Sequence, residues 1–385
     1  MKRSNGQVKY NTLTAAHYVA AFLRNNIVPV VAIVAAAISC CFVPFDGEYI
    51  GYFDFRTLAS LFGMSAVIAA LKRRKVFRAL ADKLIKLFRS TRSLIAALVA
   101  TTYVASMLIA NDMALLTFLP LGYCALHAAG KEDKMAYTFT LQTVAANLGG
   151  MLTPFGNPQN LYLYNRFSIP TGEFFRIMIF PTLAAVAVIA VMCLLVKNDP
   201  IEPVESEVQA PDKLRTAVYL VAFAYMIIVV FRVVPYWTAL LVIPLLLILD
   251  RSALLAADYS LLLTFCAFFV FTGNLSRIDA VDAFFRFLLG KSVLLTGVLS
   301  CQVISNVPSA VLLSRFTTDY ARLLVAVNIG GCGTLISSMA SVISFRNFSL
   351  YRPKEKLRYL LLNAAVNFAC LIILTAFCLF VPIYP

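Results

Sequence analysis

Residues Asn147–Asn160 read NLGGMLTPFGNPQN. This stretch packs three glycines, two prolines and three asparagines into fourteen positions of an otherwise apolar region. In a membrane, irregular backbone of this kind is tolerated only where protein buries it or where it lines a cavity. A broken helix at such a place offers free carbonyl groups to a cation and free N–H groups to an anion. The alternative is a kinked packing helix with close glycine contacts. The asparagines beside Pro158 favour a binding segment, because packing needs no such acceptors.

The rest of the chain has the composition of a membrane protein. It has 385 residues, of which 61% are hydrophobic and 14% charged, and its mean hydropathy is +0.83. Soluble domains are closer to half apolar. Apolar runs such as Ile27–Val43 and Thr182–Val196 approach the length that crosses a bilayer. The sequence therefore predicts an all-α polytopic membrane protein. The Met1–Asn26 segment has no signal-peptide core and cleavage site, so we expect no cleaved leader.

Charge, cysteine and histidine usage exclude several other classes of protein. A net charge of +14 would suggest nucleic acid for a soluble protein, but in a membrane protein it marks cytoplasmic loops. The nine cysteines are scattered and form no CxxC pair, and His17 and His127 lie far apart. We therefore predict no nucleic-acid partner, no disulfide, no metal site held by the protein and no cofactor.

The chain repeats a set of landmarks. Asp54-Phe55-Arg56 corresponds to Asp258-Tyr259-Ser260, and each opens an apolar run that ends in basic residues. Three further pairs follow the same order in the two halves: Val28-Pro29 with Val234-Pro235, Ile109-Ala110-Asn111 with Ile304-Ser305-Asn306, and Asn147-Leu148-Gly149-Gly150 with Asn328-Ile329-Gly330-Gly331. This order indicates an internal repeat, with residues 1–197 as the first copy, 198–213 as a linker and 214–385 as the second copy.

Charge predicts that the two copies are inverted. Segment Lys72–Arg92 is strongly basic, whereas its counterpart Arg277–Lys291 carries offsetting acids. The basic copy should be cytoplasmic and the other external. Equivalent segments on opposite faces form an inverted-topology repeat, which is typical of secondary transporters. We expect a multi-pass protein of the bacterial inner membrane with a cytoplasmic N-terminus and linker. We also expect an amphipathic surface helix near 74–92, and residues 12–25 could form an additional crossing.

Asn111-Asp112 is a polar pair in an apolar run of the first half. We interpret residues 94–126 as a re-entrant hairpin with its tip at this pair, although one long tilted helix is the alternative. The matching stretch Ser305-Asn306-Val307-Pro308-Ser309 favours the hairpin, because its proline would interrupt a helix at the equivalent place. Asp112 itself is open to three interpretations: a neutral structural acid, a cation ligand or a proton carrier.

The second half repeats this plan. Its hairpin is predicted over residues 292–320, and each half also carries a broken helix, at 135–165 in the first and at 322–345 in the second. The second broken helix contains Asn328–Ser344, which supplies small residues and hydroxyl groups. Close packing of small residues between helices is the alternative explanation for that composition.

At these residues the chain resembles the ion-transporter superfamily of divalent-anion/sodium symporters, citrate carriers and arsenite permeases. It is most similar to small bacterial anion permeases of the arsenite-permease and citrate branch. The resemblance runs from about residue 27 to the end of the chain. Its matching pieces are Asn111-Asp112-Met113-Ala114-Leu115, Thr153–Asn160, Ser305–Ser309 and Asn328-Ile329-Gly330-Gly331.

The resemblance implies a two-hairpin, elevator-type transporter that holds its substrate between the two tips. The symporters carry Ser-Asn-Thr at each tip, whereas this chain reads Ala110-Asn111-Asp112 and Ser305-Asn306-Val307. The candidate substrate ligands are Asn111, Asn157, Asn160, Ser305, Asn306 and Ser309. The candidate coupling-ion ligands are Asn111, Asp112, Asn147, Gly156, Asn306, Asn328, Gly333 and Thr334.

The function that these features favour is secondary transport of a small anion, coupled to a proton or sodium gradient. A sodium/proton antiporter of the same architecture is the alternative, since Asp112 could cycle protons. A channel and a membrane-embedded enzyme are more remote, and the chain has no HExxH or GxSxG motif and no paired acids within its apolar runs. The expected partners are the anion and membrane lipid, and a homodimer is left open.

Overall fold

The computed structural model describes residues 27–77, 88–201 and 212–381. Within those ranges the structure is helical and forms no strand, and its one β-bridge pairs Ser90 with Pro200. Six helices of the described chain are long and apolar enough to cross a membrane, and four shorter apolar helices accompany them. These helices support a polytopic membrane protein. The predicted crossing at 12–25, most of the surface helix near 74–92 and most of the linker lie outside the described residues.

The helices, in chain order, number eighteen in the described ranges. They are α1 (Ile27–Ser39), α2 (Glu48–Gly51), α3 (Phe55–Arg73), α4 (Thr91–Ile109), α5 (Asn111–Ala128), α6 (Met135–Gly149), α7 (Pro158–Arg166), α8 (Thr171–Leu194), α9 (Lys213–Val230), α10 (Val242–Leu249), α11 (Arg251–Leu255), α12 (Tyr259–Leu275), α13 (Asp279–Lys291), α14 (Val293–Ile304), α15 (Asn306–Leu313), α16 (Tyr320–Ile329), α17 (Met339–Tyr351) and α18 (Lys356–Phe380). Short 3₁₀ turns cover Glu132–Lys134, Gly150–Leu152, Tyr236–Leu241 and Pro353–Glu355.

The chain divides into two compact units that do not follow the sequence halves. The smaller unit is formed by residues up to Asp54 together with Asp258–Asp282, and the larger by Phe55–Ala257 with Ala283–Pro385. The larger unit therefore contains both predicted hairpins and both predicted broken helices.

The smaller unit is held by the packing of α1 against α12. Small residues allow the close contact: Ala32, Ala36 and Ala267 form its apolar centre. Polar contacts fix its ends, since Asn274 Nδ2 donates to Ser39 Oγ at 3.0 Å and the Arg277 guanidinium binds both carboxylate oxygens of Asp46 at 2.6 and 3.0 Å. That ion pair holds the pKa of the Asp46 carboxyl below its usual value.

In the larger unit, two pairs of helices are each connected by a single residue. Helices α4 and α5 pack together and are joined by Ala110, and α14 and α15 pack together and are joined by Ser305. Ala110 has φ 63° and ψ 149°, and Ser305 has φ 75° and ψ 159°. This region is nearly exclusive to glycine and costs a non-glycine residue about 1–3 kcal/mol. The two turns therefore store the same backbone strain at equivalent places.

Each half also has a helix that is interrupted and then resumes. Helix α6 ends at Gly149, a 3₁₀ turn and an extended Thr153 follow, and α7 begins at Pro158. Helix α16 ends at Ile329, and α17 begins after Ser338, which caps it by accepting from Ala340 N. We call residues 150–157 the first break and residues 330–338 the second break. Proline at the first helical position explains the restart of α7, because its missing N–H would be unpaired there in any case.

Helix caps account for two of the differences from the predicted boundaries, the starts of α4 and α16. Ser90 forms a capping box with Ser93, so the first helix of the 94–126 hairpin starts earlier, at Thr91. Asp319 accepts from Arg322 N at 3.1 Å, so α16 starts at Tyr320 rather than at 322. The second hairpin ends at Leu313 instead of 320, and α17 runs past the predicted bound of 345 to Tyr351.

A charged cluster ties the first hairpin to the end of α17. Glu132 contacts His127 Nδ1 with one carboxylate oxygen and binds Arg352 with the other at 2.7 Å. Tyr123 stacks on Tyr351 with ring centroids 3.8 Å apart. The hydrogen bonds from His127 and Arg352 hold the pKa of Glu132 below its usual value. The two halves are therefore joined at this surface.

Candidate functional site

The tip of the first hairpin is fixed by its asparagine. Asn111 Oδ1 accepts from Asp112 N at 2.9 Å, and Asn111 Nδ2 donates to Asn147 Oδ1 at 3.2 Å. Asn147 lies two residues before the end of α6 and continues the contact into the other half. Its Nδ2 donates to the Gly331 carbonyl at 3.2 Å, and its Oδ1 also accepts from Ser338 Oγ at 2.7 Å. The side chain of Asn147 therefore joins the first tip to the second break.

The tip of the second hairpin has the same local bond and meets the same break. Asn306 Oδ1 accepts from Val307 N at 2.9 Å, as Asn111 Oδ1 does from the residue that follows it. Asn306 N donates to the Ser337 carbonyl at 2.9 Å, and its amide lies against Gly331, where a Cβ would be 3.0 Å from Asn306 Nδ2. Both tip asparagines are buried, at 4% exposure each. The structure thus brings Asn111, Asn147 and Asn306 to one cluster at the second break.

Close backbone contacts that only glycine permits hold the first break together. A Cβ on Gly156 would lie 2.3 Å from the Gly150 carbonyl oxygen, and one on Gly149 would lie 2.3 Å from the Tyr103 carbonyl oxygen. Thr153 Oγ1 donates to the Met107 carbonyl at 2.6 Å and fixes the break to α4. The glycines of the sequence signature therefore allow backbone to approach backbone.

Asn328 completes the first break from the second half. Its Nδ2 donates to Asn160 Oδ1 at 2.5 Å, and its Oδ1 accepts from Asn157 Nδ2 at 3.1 Å. Asn160 Nδ2 in turn bonds the carbonyls of Gly150, Met151 and Thr153 at 3.1–3.2 Å. All polar atoms of Asn160 are used within the protein, so this geometry favours a structural role for Asn160 over contact with a substrate.

The remaining predicted ligands lie in or near the second hairpin and at the first tip. Ser309 pairs with Ser300 at 2.8 Å inside the second hairpin. Gly333, with φ 120°, and Thr334 pack against Gln302 of α14. Asp112 is half-buried beside Asn111 at the start of α5, and Ser305 Oγ donates to the Ser337 carbonyl at 3.4 Å. Ser305 and Asp112 lie at the tips, and Ser309 lies one helical turn from the second tip, with its N–H bonded to the Ser305 carbonyl and its hydroxyl paired with Ser300.

The sequence analysis missed Gln302 and the two serines before α17. Gln302 Nε2 donates to the carbonyls of Gly330 and Cys332 at 2.9 and 3.0 Å, and its Oε1 accepts from Thr334 N at 2.9 Å. It therefore clamps the second break to the second hairpin. Ser337 and Ser338 supply the contacts to Asn306 and Asn147. The only sequence signal for Gln302 was its position as a polar residue in an apolar run, three residues before the second predicted tip.

The site is rich in neutral oxygens and helix starts but poor in charge. Asn157 Oδ1 and Gln159 Oε1 are buried and have no hydrogen-bond partner. Helices α5, α7, α15 and α17 all begin at a tip or a break, so the positive ends of their dipoles lie there. Side chains of the tips and the second break already accept from some of their first N–H groups. No group of three His, Cys, Asp or Glu side chains that could hold a metal ion occurs in the part of the chain that is described.

Comparison with known proteins identifies the family. The citrate transporter family matches this chain over residues 18–322. The chain belongs to the citrate transporter family. Citrate transporter family membership confirms the resemblance to the ion-transporter superfamily that the tip and break motifs indicated, and the protein is a multi-pass membrane transporter.

Two further proteins are similar to this chain over most of their length. An uncharacterized transporter of Methanocaldococcus jannaschii is 30% identical over 326 residues, which cover 84% of this chain and 89% of the relative. The inner membrane protein YbiR of Escherichia coli is 27% identical over 351 residues, which cover 87% of this chain and 92% of the relative.

Proposed function

We propose that this transporter moves a small anion, a carboxylate or an oxyanion, by secondary active transport coupled to a proton or sodium gradient. One observation carries the proposal: the tip asparagines and the N-termini of α5, α15 and α17 meet around Asn147 and the second break. Helix N-termini and neutral amide groups suit an anion, because their N–H donors favour negative charge. The one acid at the tips, Asp112, would have to be neutralised by a proton or a cation while the anion is bound. Asn111 and Asn306 hold the anion from opposite tips in this proposal.

The internal symmetry of the site supports an inverted repeat. Ala110 and Ser305 share one strained conformation, and Asn111 and Asn306 share one local hydrogen bond. Asn147 of the first half binds the second break, and Asn328 of the second half binds the first. Both tips and both breaks lie in the larger unit. An elevator movement of the elements that carry them would transport the whole site without dismantling it.

We infer the membrane and the orientation of the protein in it from the relative's name and from the basic loops. The name of the Escherichia coli relative supports an inner membrane. The basic end of α3 and the turn after α17 would face the cytoplasm with the N-terminus, and α13 would lie outside.

Cysteine labelling tests the inverted topology. Single cysteines replace Lys75, at the basic end of α3, and Asp279, at the start of α13, in a background where the exposed Cys40, Cys41 and Cys124 are serine. An impermeant thiol reagent added outside intact cells is expected to label position 279 and to reach position 75 only after permeabilisation. Lys83, at the centre of the basic segment, lies outside the described residues. Equal labelling of both positions from outside would contradict the inverted repeat.

Uptake into liposomes tests the function and the coupling ion. The wild type is expected to take up an anion such as citrate or phosphate in a saturable manner under an imposed gradient. Asp112→Asn separates the coupling schemes, because burial in a membrane disfavours the charged acid unless a proton or cation compensates it. If Asp112 carries the proton, the variant loses uptake driven by a pH gradient but keeps exchange of bound anion. If Asp112 binds sodium, the variant requires a higher sodium concentration for the same rate of uptake.

The same measurement separates the alternative functions. A sodium/proton antiporter would exchange its two cations without any anion, and a channel would conduct without saturation. Turnover without a gradient would indicate an enzyme. Unchanged uptake by Asp112→Asn under both gradients would assign Asp112 a structural role. Absence of coupled uptake for a broad panel of anions would reject the anion proposal.

A further inference from the structure

A fixed arginine lies at the far end of α7, away from the break. Arg232 follows α9 and has φ 63°, which is unusual for a residue with a side chain. Its Nη2 donates to the carbonyls of Tyr164 and Ile169 at 2.8 and 2.7 Å, and its guanidinium lies 3.8 Å from the centroid of the Tyr164 ring. These contacts hold the positive charge in one place at the C-terminal end of α7.

A second arginine is brought to the same end of α7 by the start of α3. Asn165 Nδ2 donates to Thr57 Oγ1 at 3.1 Å, which fixes the start of α3, with Arg56, against the end of α7. Burial lowers the pKa of Arg232, and the neighbouring charge of Arg56 lowers it as well. Arg166, the last residue of α7, is exposed next to Asn165 and adds a third positive charge at this end.

Within the described residues, Arg56 and Arg232 have no carboxylate as an ion-pair partner. Elsewhere in the described chain, arginines bind acids: Arg277 with Asp46, Arg322 with Asp319 and Arg352 with Glu132. Over the described ranges neither Arg56 nor Arg232 forms an ion pair, and Arg232 Nε is buried without a hydrogen-bond partner. The carbonyls at the C-terminal end of α7 offset part of the Arg232 charge. The remaining repulsion between two half-buried like charges costs free energy that a bound anion would recover.

We propose that Arg56 and Arg232 form an anion-docking site at the end of α7, distinct from the site between the tips. Arginine suits carboxylate and phosphate groups, because its planar guanidinium can donate two parallel hydrogen bonds. The ligand is an oxyanion group, which the transported anion or a lipid headgroup can supply. With a free anion this inference rests on the proposed function, and the site is the first contact of the substrate, since clustered charge raises the local anion concentration.

Thermal unfolding of the purified full-length protein tests the docking site. The background is Asn306→Ala, which is expected to disable the proposed site between the tips. Citrate, inorganic phosphate or micelles containing phosphatidylglycerol are titrated against sodium chloride of equal ionic strength. We expect at least one of these probes to stabilise the protein. Arg56→Gln should then raise the concentration for half-maximal stabilisation about 5–10-fold, a loss typical of a charge-assisted hydrogen bond. Arg56→Lys should retain part of the effect.

The comparison of probes identifies the source of the oxyanion. A shift with citrate or phosphate indicates the free anion, and a shift only with phosphatidylglycerol indicates the lipid headgroup. Arg322→Gln is the matched control, because it removes an arginine that is already paired with Asp319, and it should behave like the background protein. Equal titrations for Arg56→Gln and the background with every probe would overturn the docking site. That result would leave the site between the tips untouched, since its test is uptake by the wild type.

Discussion

Gly156→Ala is expected to lower the thermal unfolding midpoint of the purified transporter by about 5 °C or more and to remove uptake. The added Cβ would lie 2.3 Å from the Gly150 carbonyl oxygen and 2.7 Å from Thr153 Oγ1. Backbone cannot give way as a flexible side chain can, so the first break must open. Asn157 and Asn160, which are held around that break, would then lose their places beside Asn328. The measurement is the unfolding midpoint together with uptake per folded molecule.

Gly172→Ala is the matched control for Gly156→Ala. Gly172 lies in the first turn of α8, and a Cβ there would meet nothing within 4 Å. Because alanine is a better helix former than glycine by about 1 kcal/mol, this variant should be as stable as the wild type or more so. An equal loss of stability in both variants, or none in Gly156→Ala, would show that the close approach in the first break is not required.

Asn111→Ala and Asn306→Ala are each expected to reduce uptake about 100-fold while folded protein still reaches the membrane. Each substitution removes an amide from the cluster at the second break and leaves a buried partner unpaired, which costs about 1–3 kcal/mol per group. The two effects should be similar, since the two side chains have equivalent positions and equal local hydrogen bonds. Initial uptake rates, normalised to the amount of folded protein, provide the measurement.

Asn347→Ala serves as the control for the tip variants. Asn347 Nδ2 donates to the Ile343 carbonyl of its own helix, so this asparagine takes no part in the cluster. The control should transport like the wild type. Normal uptake by both tip variants would mean that the anion is bound elsewhere in the protein.

Much of the helical plan could be predicted from the sequence, because polar and helix-breaking residues stand out in apolar runs. Pro158 and its flanking asparagines marked the first break, and Asn111-Asp112 marked the place where α4 ends and α5 begins. The exact helix boundaries depended on caps. Ser90 and Asp319 set the starts of α4 and α16, which differ from the predicted ones. These caps were readable in principle, since both residue types accept bonds from the first turn of a helix.

The details of the site were harder to predict, because they depend on contacts between distant parts of the chain. From the sequence, Asn160 resembles a substrate ligand, because it is a polar residue in an apolar region. The structural role is indicated only by the three carbonyls that its amide contacts in the fold. Gln302 sits in an apolar run where nothing local reveals that the second break lies beside it. The strain at Ala110 and Ser305 was also invisible, since neither residue is the glycine that such a conformation normally signals.

The exchange of asparagines between the halves bears on how such a protein could arise. Asn147 of the first half satisfies a carbonyl of the second break, and Asn328 of the second half holds the side chains of the first break. Neither half contains all the partners of its own break. Under the inverted repeat that we propose, a single ancestral copy would have needed a second copy before either break was complete. Duplication and fusion would then have joined two copies that already depended on each other.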